Sequence, residues 1–175
     1  MLYKLLTKLL DYPGDDLYAA LPELRAALTE DLAPEERQAL CTFLDELEAM
    51  EPTEAQARYV QTFDLTPSHS LHLTHHLFGE EKTRGPALID LTEFYKAYGL
   101  ELTPVTASGV NELPDYLPLM LEFASVLDPD EARMFLAHWT KVLAQLGHNL
   151  EQAGSPYADL VRLVERRSQL VKVAA

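Results

Sequence analysis

The sequence has very little cysteine, with Cys41 the only one among 175 residues. A single thiol excludes a disulfide framework, and it excludes a zinc or iron–sulfur centre ligated by cysteines of one chain. Cys41 lies among apolar residues of a predicted helix and has no obvious base beside it. We therefore expect an unreactive buried thiol in a reducing compartment.

Glycine is also scarce, with seven residues that do not cluster. The chain therefore has no glycine-rich loop of the kind that cradles phosphates. It also lacks the G-x-S-x-G motif of serine hydrolases and the H-x-E motif with paired cysteines of zinc deaminases. We expect a protein that is not an enzyme and that has no cofactor of its own.

Long hydrophobic runs are absent, and none approaches the ~20 apolar residues that a membrane-spanning helix needs. The amino terminus reads M-L-Y-K-L-L-T-K-L-L-D-Y-P. This segment is too short and too soon acidic for a secretory signal, and no small-residue cleavage site follows it. We expect a cytoplasmic protein without stable membrane insertion.

Basic residues are few, because 14 lysines and arginines face 28 aspartates and glutamates, for a net charge of −14. Such a chain is a poor partner for nucleic acid, whose phosphates require a basic surface. Two interpretations of the acidity remain. It keeps the protein soluble, which composition alone favours, or it attracts a basic peptide.

Apolar residues make up 47% of the chain, enough for one packed domain over residues 1–175. Leucines recur at helical spacing from Leu2 to Leu10, and proline or glycine punctuates later segments of the same kind. No segment alternates as a strand would. The prediction is an all-α bundle of about eight to nine helices. The predicted helices include residues 52–63, 68 or 70 to 79, 86–98, 114–127, one helix from 128 through 146, and 157–173.

Two further features accompany these helices. The helix over 86–98 carries an apolar stripe. Its members are Leu88, Leu91, Phe94, Tyr95 and Tyr98. Residues 100–113 form the longest predicted loop, which we expect to be mobile or functional.

Residues 59–85 hold four of the six histidines. His69, His72 and His76 share one face if the helix there is regular. The i, i+4 pair of His72 and His76 suits a divalent ion, but the H-E-x-x-H motif of metalloproteases is absent. His69 and His76 lie about 10 Å apart along such a helix, too far for one ion. A histidine-dependent metallohydrolase remains a minor alternative, and no native metal is expected.

Two polar segments flank helix starts. In residues 80–86, Arg84 is expected to pair with Asp64 or Glu80 and so to fix the angle between two helices. Residues 112–118, with the sequence E-L-P-D-Y-L-P, indicate a helix start and a possible recognition edge.

Four ordered blocks resemble the assembly chaperones of respiratory nitrate reductase, the delta-subunit or NarJ type within the redox-enzyme maturation proteins. The blocks are Y-V-Q-T-F-D at 59–64, S-L-H-L-T-H-H-L-F-G-E at 70–80, R-G at 84–85 and E-L-P-D-Y-L-P-L-M-L-E-F at 112–123, and L-L-D-Y-P at 9–13 agrees. The positions that match the family pattern are Tyr59, Phe63, Asp64, Leu71, His76, Gly79, Glu80, Arg84, Gly85, Leu113, Pro114, Asp115, Leu117 and Pro118.

The resemblance implies an all-helical cytoplasmic chaperone. Such a chaperone binds the amino-terminal peptide of the apo catalytic (alpha) subunit of nitrate reductase and keeps that subunit competent for molybdenum cofactor insertion. A chaperone of a related molybdoenzyme is the alternative. We expect a monomer or weak homodimer. The candidate client-binding residues are Tyr59, Phe63, Asp64, Leu71, His76, Glu80, Arg84, Leu113, Pro114, Asp115, Tyr116 and Pro118.

Overall fold

The computed structural model describes residues 1–29, 32–79, 82–101 and 112–169. These residues form ten α-helices joined by short turns, and no strand, so the all-α prediction is confirmed. The helices are α1 (Leu2–Leu9), α2 (Asp15–Ala26), α3 (Pro34–Glu48), α4 (Pro52–Tyr59), α5 (Leu73–Phe78), α6 (Arg84–Ala97), α7 (Leu117–Val126), α8 (Pro129–Ala137), α9 (Thr140–Gln152) and α10 (Tyr157–Ser168).

The predicted number of helices was too low because the helix expected from residue 128 through 146 is two helices, α8 and α9. At the break, the backbone N–H of Trp139 donates to the Leu136 carbonyl in a tight turn. The hydroxyl of Thr140 lies 3.1 Å from the carbonyl oxygen of Ala137. A threonine hydroxyl that bonds to the backbone in this way competes with the regular helical pattern and favours a break.

Two predicted helix starts were too early. The helix expected at 114 begins at Leu117, and the helix expected at 68 or 70 begins at Leu73. The residues before them pair with each other instead, around an isolated antiparallel bridge between His72 and Tyr116. The N–H of Leu73 donates to the Asp115 carbonyl, and the N–H of Leu117 donates to the Leu71 carbonyl. This long-range pairing keeps both segments extended.

Other predicted boundaries hold more closely. The helix expected over 52–63 is α4 followed by a π-helical turn, Val60–Asp64, and a 3-10 turn, Pro67–His69, leads toward α5. As predicted, α5 closes at Gly79, whose φ of +57° is readily adopted by glycine. Residues 102–111 of the loop predicted over 100–113 lie outside the described residues, as do residues 170–173 of the helix predicted over 157–173. That helix ends earlier than predicted, at Ser168.

One connected apolar core draws on all ten helices, although α6 contributes only Tyr95. Leu6 and Leu10 of the first segment are fully buried, α1 packs along α7, and α10 packs along α9. Cys41, predicted to be buried, is only half-buried, because it lies at the edge of the stripe that Leu40 and Leu44 bury.

Helix α6 differs from the others, because Tyr95 is its only fully buried residue. Phe94 and Tyr98 on the same helix are partly exposed. The predicted stripe on this helix is therefore only partly covered by the rest of the protein.

In the part of the chain that the structure describes, every helix is too short or too polar to cross a lipid bilayer.

A paired arginine joins the end of α10 to the start of α3. Arg167 donates from Nε to one oxygen of Glu36 at 2.7 Å and from Nη2 to the other at 2.8 Å. Glu36 also accepts the N–H of Ala33 at the helix start. Burial raises the pKa of Glu36, but these hydrogen bonds outweigh it and hold the pKa below its usual value.

We predict that Arg167→Ala lowers the free energy of unfolding at pH 7 by about 1.5 kcal/mol, measured by urea denaturation. Because the pKa of Glu36 is lowered in the folded state, the Arg167–Glu36 pair stabilises the protein above the unfolded pKa of Glu36. This stabilisation is lost as pH falls through the folded pKa of Glu36. The control is Arg166→Ala, on an exposed neighbour, which should change stability by no more than about 0.5 kcal/mol. Equal losses in the two variants would contradict the prediction.

Candidate functional site

The carboxylate of Asp115 is completely buried and is the centre of a polar network. Its Oδ2 accepts the backbone N–H of Thr74 at 3.0 Å and the hydroxyl of the same residue at 2.5 Å. Arg84 approaches Oδ2 at 3.4 Å with Nη2 and donates from Nε to the Thr74 hydroxyl at 2.9 Å. The network joins the segment before α7 to the first turns of α5 and α6.

Of the two partners expected for Arg84, Asp64 was wrong. Among the described residues, Arg84 pairs with Asp115 and not with Asp64, which is exposed. Glu80, the other expected partner, lies outside the described residues. The expected effect on helix geometry is retained, because the side chain still links separate helices.

A second network connects the blocks through tyrosine hydroxyls. The hydroxyl of Tyr116 lies 2.8 Å from that of Tyr59 and donates to Oδ1 of Asp11 at 3.0 Å. Tyr59 also reaches the carbonyl oxygen of Leu10. Burial raises the pKa of both tyrosines far above its usual value, so both phenols keep their protons and act as donors.

Helix α6 is anchored to the same region. The hydroxyl of Tyr95 donates to the carbonyl oxygen of Pro114 at 2.7 Å. Together with Arg84 at the start of the helix, this contact ties α6 to residues 114–115. The position of α6 therefore depends on the segment that the sequence singled out before α7.

Most of the predicted client-binding residues are inside the protein. Phe63, for example, packs its ring 4.9 Å from Tyr59 and 4.8 Å from Tyr157. Of the eleven that the structure describes, which exclude Glu80, Asp64 and Leu113 are exposed, and His76 and Arg84 are half-buried. The buried ones are Tyr59, Phe63, Leu71, Pro114, Asp115, Tyr116 and Pro118. These buried side chains hold the site in place and are not free to touch a partner.

Three of the matching segments carry an acidic residue that an exposed apolar residue follows in the chain. The pairs are Asp11–Tyr12, Asp64–Leu65 and Glu112–Leu113, and we call them the acidic corner. Burial raises the pKa of Glu112, and the charges of Asp11, Asp64 and Asp115 raise it further. The carboxylates of the corner therefore repel one another, and a cation placed among them would relieve that repulsion.

The histidines do not share the helical face expected for them. His69 lies in the 3-10 turn, His72 precedes α5, and only His75 and His76 are within it. Nε2 of His76 lies 2.7 Å from the Ser70 carbonyl oxygen, and Nε2 of His72 lies 3.7 Å from Glu112. The residues that the structure describes contain no group of three or more histidine, cysteine or acidic side chains suited to a metal ion.

A second surface lies between α6 and α8. This α6–α8 groove has a volume of about 450 Å³. Leu91, Phe94 and Tyr98 form one wall, and Met134, Phe135, His138 and Trp139 form the other, with Asp90 and Glu131 among the lining residues. This groove was not predicted from the sequence. Its signal there was the apolar stripe on the helix over 86–98, because Leu91, Phe94 and Tyr98 of that stripe line the groove.

The family model described as nitrate reductase delta subunit matches residues 16–162. The chain belongs to the nitrate reductase delta subunit family. The resemblance inferred from the blocks is thus confirmed.

Curated members of the delta subunit family align with most of the chain. It is 37% identical over 162 residues to the nitrate reductase molybdenum cofactor assembly chaperone NarJ of Escherichia coli (strain K12), covering 91% of this chain and 66% of that protein. It is 32% identical over 162 residues to a probable chaperone of the same name from Bacillus subtilis (strain 168), covering 93% and 85%. The nitrate reductase-like protein NarX of Mycobacterium tuberculosis (strain ATCC 25618 / H37Rv) is 31% identical over 163 residues, covering 93% and 24%. The chain thus spans just under two thirds of the length of the Escherichia coli relative.

In this delta subunit family member, we predict that Asp115→Asn lowers the free energy of unfolding by about 3 kcal/mol, because it leaves the Arg84 guanidinium without its buried counter-charge. Urea denaturation at pH 7 measures the change. Asp64→Asn makes the same chemical change at an exposed position and should cost no more than about 0.5 kcal/mol. A loss at Asp115 as small as that at Asp64 would show that the network is not a stabilising one.

Burial lowers the pKa of His72; the nearby Asp115 and Asp64 oppose this, whereas Arg84 and His75 add to it. Because the folded pKa is lowered, the contribution of His72 to stability is present above the unfolded value of about 6.5 and is lost as pH falls through the folded pKa.

We therefore predict that, as pH falls from 7 to 5, the free energy of unfolding decreases less for His72→Gln than for wild type. Urea denaturation at each pH measures the change. The control His148→Gln, on an exposed residue of α9, should keep the wild-type dependence. An unchanged dependence in His72→Gln would reject this explanation.

Proposed function

We propose that this protein is an assembly chaperone for a molybdenum-dependent nitrate reductase, acting in the cytoplasm and without enzymatic activity. It binds the amino-terminal peptide of the apo catalytic subunit and keeps the subunit competent for molybdenum cofactor insertion. Family membership supports this function, as do the names of the Escherichia coli and Bacillus subtilis relatives, which are those of molybdenum cofactor assembly chaperones.

The acidic corner is the observation that carries the peptide-binding part of the proposal. It combines exposed apolar side chains with carboxylates that repel one another, and Leu65 is 71% exposed. A peptide that carries basic residues next to apolar ones complements both features. A chain with a net charge of −14 also attracts such a peptide from a distance.

The predicted client-binding residues then divide into two roles. We assign direct contact with the peptide to the exposed Asp64 and Leu113. The buried Tyr59, Asp115 and Tyr116 position the corner through their hydrogen bonds.

Binding of this kind is expected to be reversible. A flexible peptide that becomes ordered on binding gives up part of its interaction energy, on the order of 2–5 kcal/mol. A chaperone that must release its client before the mature enzyme assembles requires such moderate affinity.

The test is isothermal titration of the protein with a synthetic peptide that copies the first ~25 residues of the nitrate reductase catalytic subunit from the same genome, a length that leaves room for several helical turns. We expect saturable binding near one to one that weakens as salt increases, because exposed charges are screened. Asp64→Asn should weaken binding about fivefold at low salt. Glu23→Gln, which removes one negative charge from α2, should leave the affinity unchanged.

The absence of binding at both salt concentrations would overturn the peptide-binding proposal. Tighter binding of the corresponding peptide from another molybdoenzyme of the same genome would instead assign the chaperone to that enzyme.

A further inference from the structure

We infer that a polar pocket around Arg58 binds a small anion that carries a phosphate group. The pocket lies where the end of α3, the end of α4 with its π-helical turn and the start of α10 meet, and the proposed function does not use it. We call it the Arg58 pocket. The side chains that define it are Arg58, Gln61, Thr62, His69, Ser155 and Tyr157.

Arg58 joins three adjoining depressions into one site. The largest has a volume of about 570 Å³, and Arg58 lines it together with Gln61, Thr62 and His69. Arg58 also lines a depression of about 380 Å³ on the same side of α4, and a narrow cleft beside Tyr157. The volume of the largest depression is within the range of roughly 300–1,000 Å³ that ligand sites occupy.

The charge of Arg58 is not neutralised by a direct contact. Arg58 is half-buried, yet it forms no ion pair and no side-chain hydrogen bond with another described residue. A guanidinium presents five N–H donors in a planar fork that fits two oxygens of a phosphate or a carboxylate. The pocket therefore has a cationic group whose donors are available to a ligand.

Tyr157 supplies a buried donor at the same place. It is 3% exposed and lines the narrow cleft with Arg58, and its hydroxyl has no hydrogen-bond partner among the described residues. Burial raises the pKa of this phenol and the charge of Arg58 opposes the rise, so the two groups are close together. A hydroxyl this deeply buried normally has a partner, and a ligand oxygen between Tyr157 and Arg58 would provide one.

The other side chains of the pocket add hydrogen-bond groups that the protein leaves free. Gln61 and Thr62 use their backbone carbonyls as acceptors, but their side chains bond to no described residue. The hydroxyl oxygen of Ser155 accepts the N–H of Tyr157 at 3.3 Å, which leaves its hydrogen for a ligand. His69 is 8% exposed and donates from Nδ1 to the Thr62 carbonyl at 3.2 Å, which leaves Nε2 as its free ring nitrogen.

The number of free donors determines the class of ligand. Arg58, Gln61, Thr62, Ser155 and Tyr157 together offer more hydrogens than the two oxygens of one carboxylate accept. A phosphate group has three or four oxygens in a tetrahedral arrangement and is a preferred partner of arginine. Inorganic phosphate and the phosphate ester of a small alcohol share this chemistry.

Two acidic residues border the pocket and oppose an anion. Glu46 lines the largest depression and Glu54 the smaller one, and both are exposed. The net charge of −14 opposes it as well, but solvent and salt screen exposed charges over roughly 8 Å at physiological ionic strength. A guanidinium in direct contact therefore outweighs them, and the positive end of the α10 dipole, at Tyr157, adds to the attraction.

The probes are inorganic phosphate and glycerol 3-phosphate, titrated by isothermal calorimetry into the full chain at pH 7 and constant ionic strength. We expect saturable binding of both, near one to one. Malonate carries its charge on two carboxylates and should bind about fivefold more weakly. Vesicles that contain phosphatidate test a lipid headgroup as the source of the phosphate. We expect no cosedimentation with them, because an anionic surface repels so acidic a protein.

Substitutions locate the binding. Arg58→Gln should weaken the binding of both probes about tenfold, whereas Arg166→Gln, the same change at an exposed arginine near the other end of α10, should have an effect of less than about twofold. Tyr157→Phe removes only the hydroxyl and should weaken binding about threefold. Glu46→Gln removes a repelling charge and should strengthen it about twofold. Thermal unfolding monitored by circular dichroism checks that each variant is folded.

Four results would overturn the inference. Binding that does not saturate below about 10 mM, or that is equal in wild type and Arg58→Gln, would indicate an adventitious ion only. Malonate bound as tightly as phosphate would reject a phosphate site. Vesicle binding that requires Arg58, without binding of the free probes, would assign the surface to a membrane. None of these results affects the proposed peptide binding, because the Arg58 pocket shares no residue with the acidic corner or with the candidate client-binding residues.

Discussion

The buried carboxylate of Asp115 is the constraint on which the functional half of this protein depends. A charge in the interior needs donors, and Oδ2 of Asp115 receives them from Thr74 and Arg84. These contacts of one carboxylate oxygen fix the start of α5, the start of α6 and the segment before α7 relative to each other. The acidic corner and the α6–α8 groove each include residues next to these segments: Glu112 precedes α7, and Leu91 and Phe94 lie on α6.

The division between inner and outer residues explains how short sequence blocks can be specific to a family although most of their side chains are buried. Tyr59 and Tyr116 meet through their hydroxyls, and Asp11 accepts from Tyr116. These contacts need particular side chains at particular places, whereas an exposed contact with a flexible peptide tolerates several. The most recognisable residues are thus those that shape the site, whereas their neighbours, such as Asp64 and Leu113, are left exposed on the surface.

The sequence was sufficient for the helical class and for most helix positions, because leucine periodicity and proline or glycine punctuation are local signals. It was not sufficient where distant segments decide the outcome. The start of α7 depends on pairing with Leu71, and the partner of Arg84 lies 31 residues along the chain, in Asp115. The α6–α8 groove was missed for a related reason: periodicity identifies an apolar stripe on α6 but not which part of it the rest of the protein leaves uncovered.

The sparse attachment of α6 has a consequence for how its surface can change. Its most outward side chains, such as Ile89 at 63% exposure, are separate from the anchor at Tyr95. Substitutions there alter the shape and charge of the surface without disturbing the core. Helix α6 can therefore vary in sequence while the rest of the fold is kept, and under the proposed chaperone function duplicated copies of this protein would be able to diverge toward different enzymes through a few changes on one exposed face.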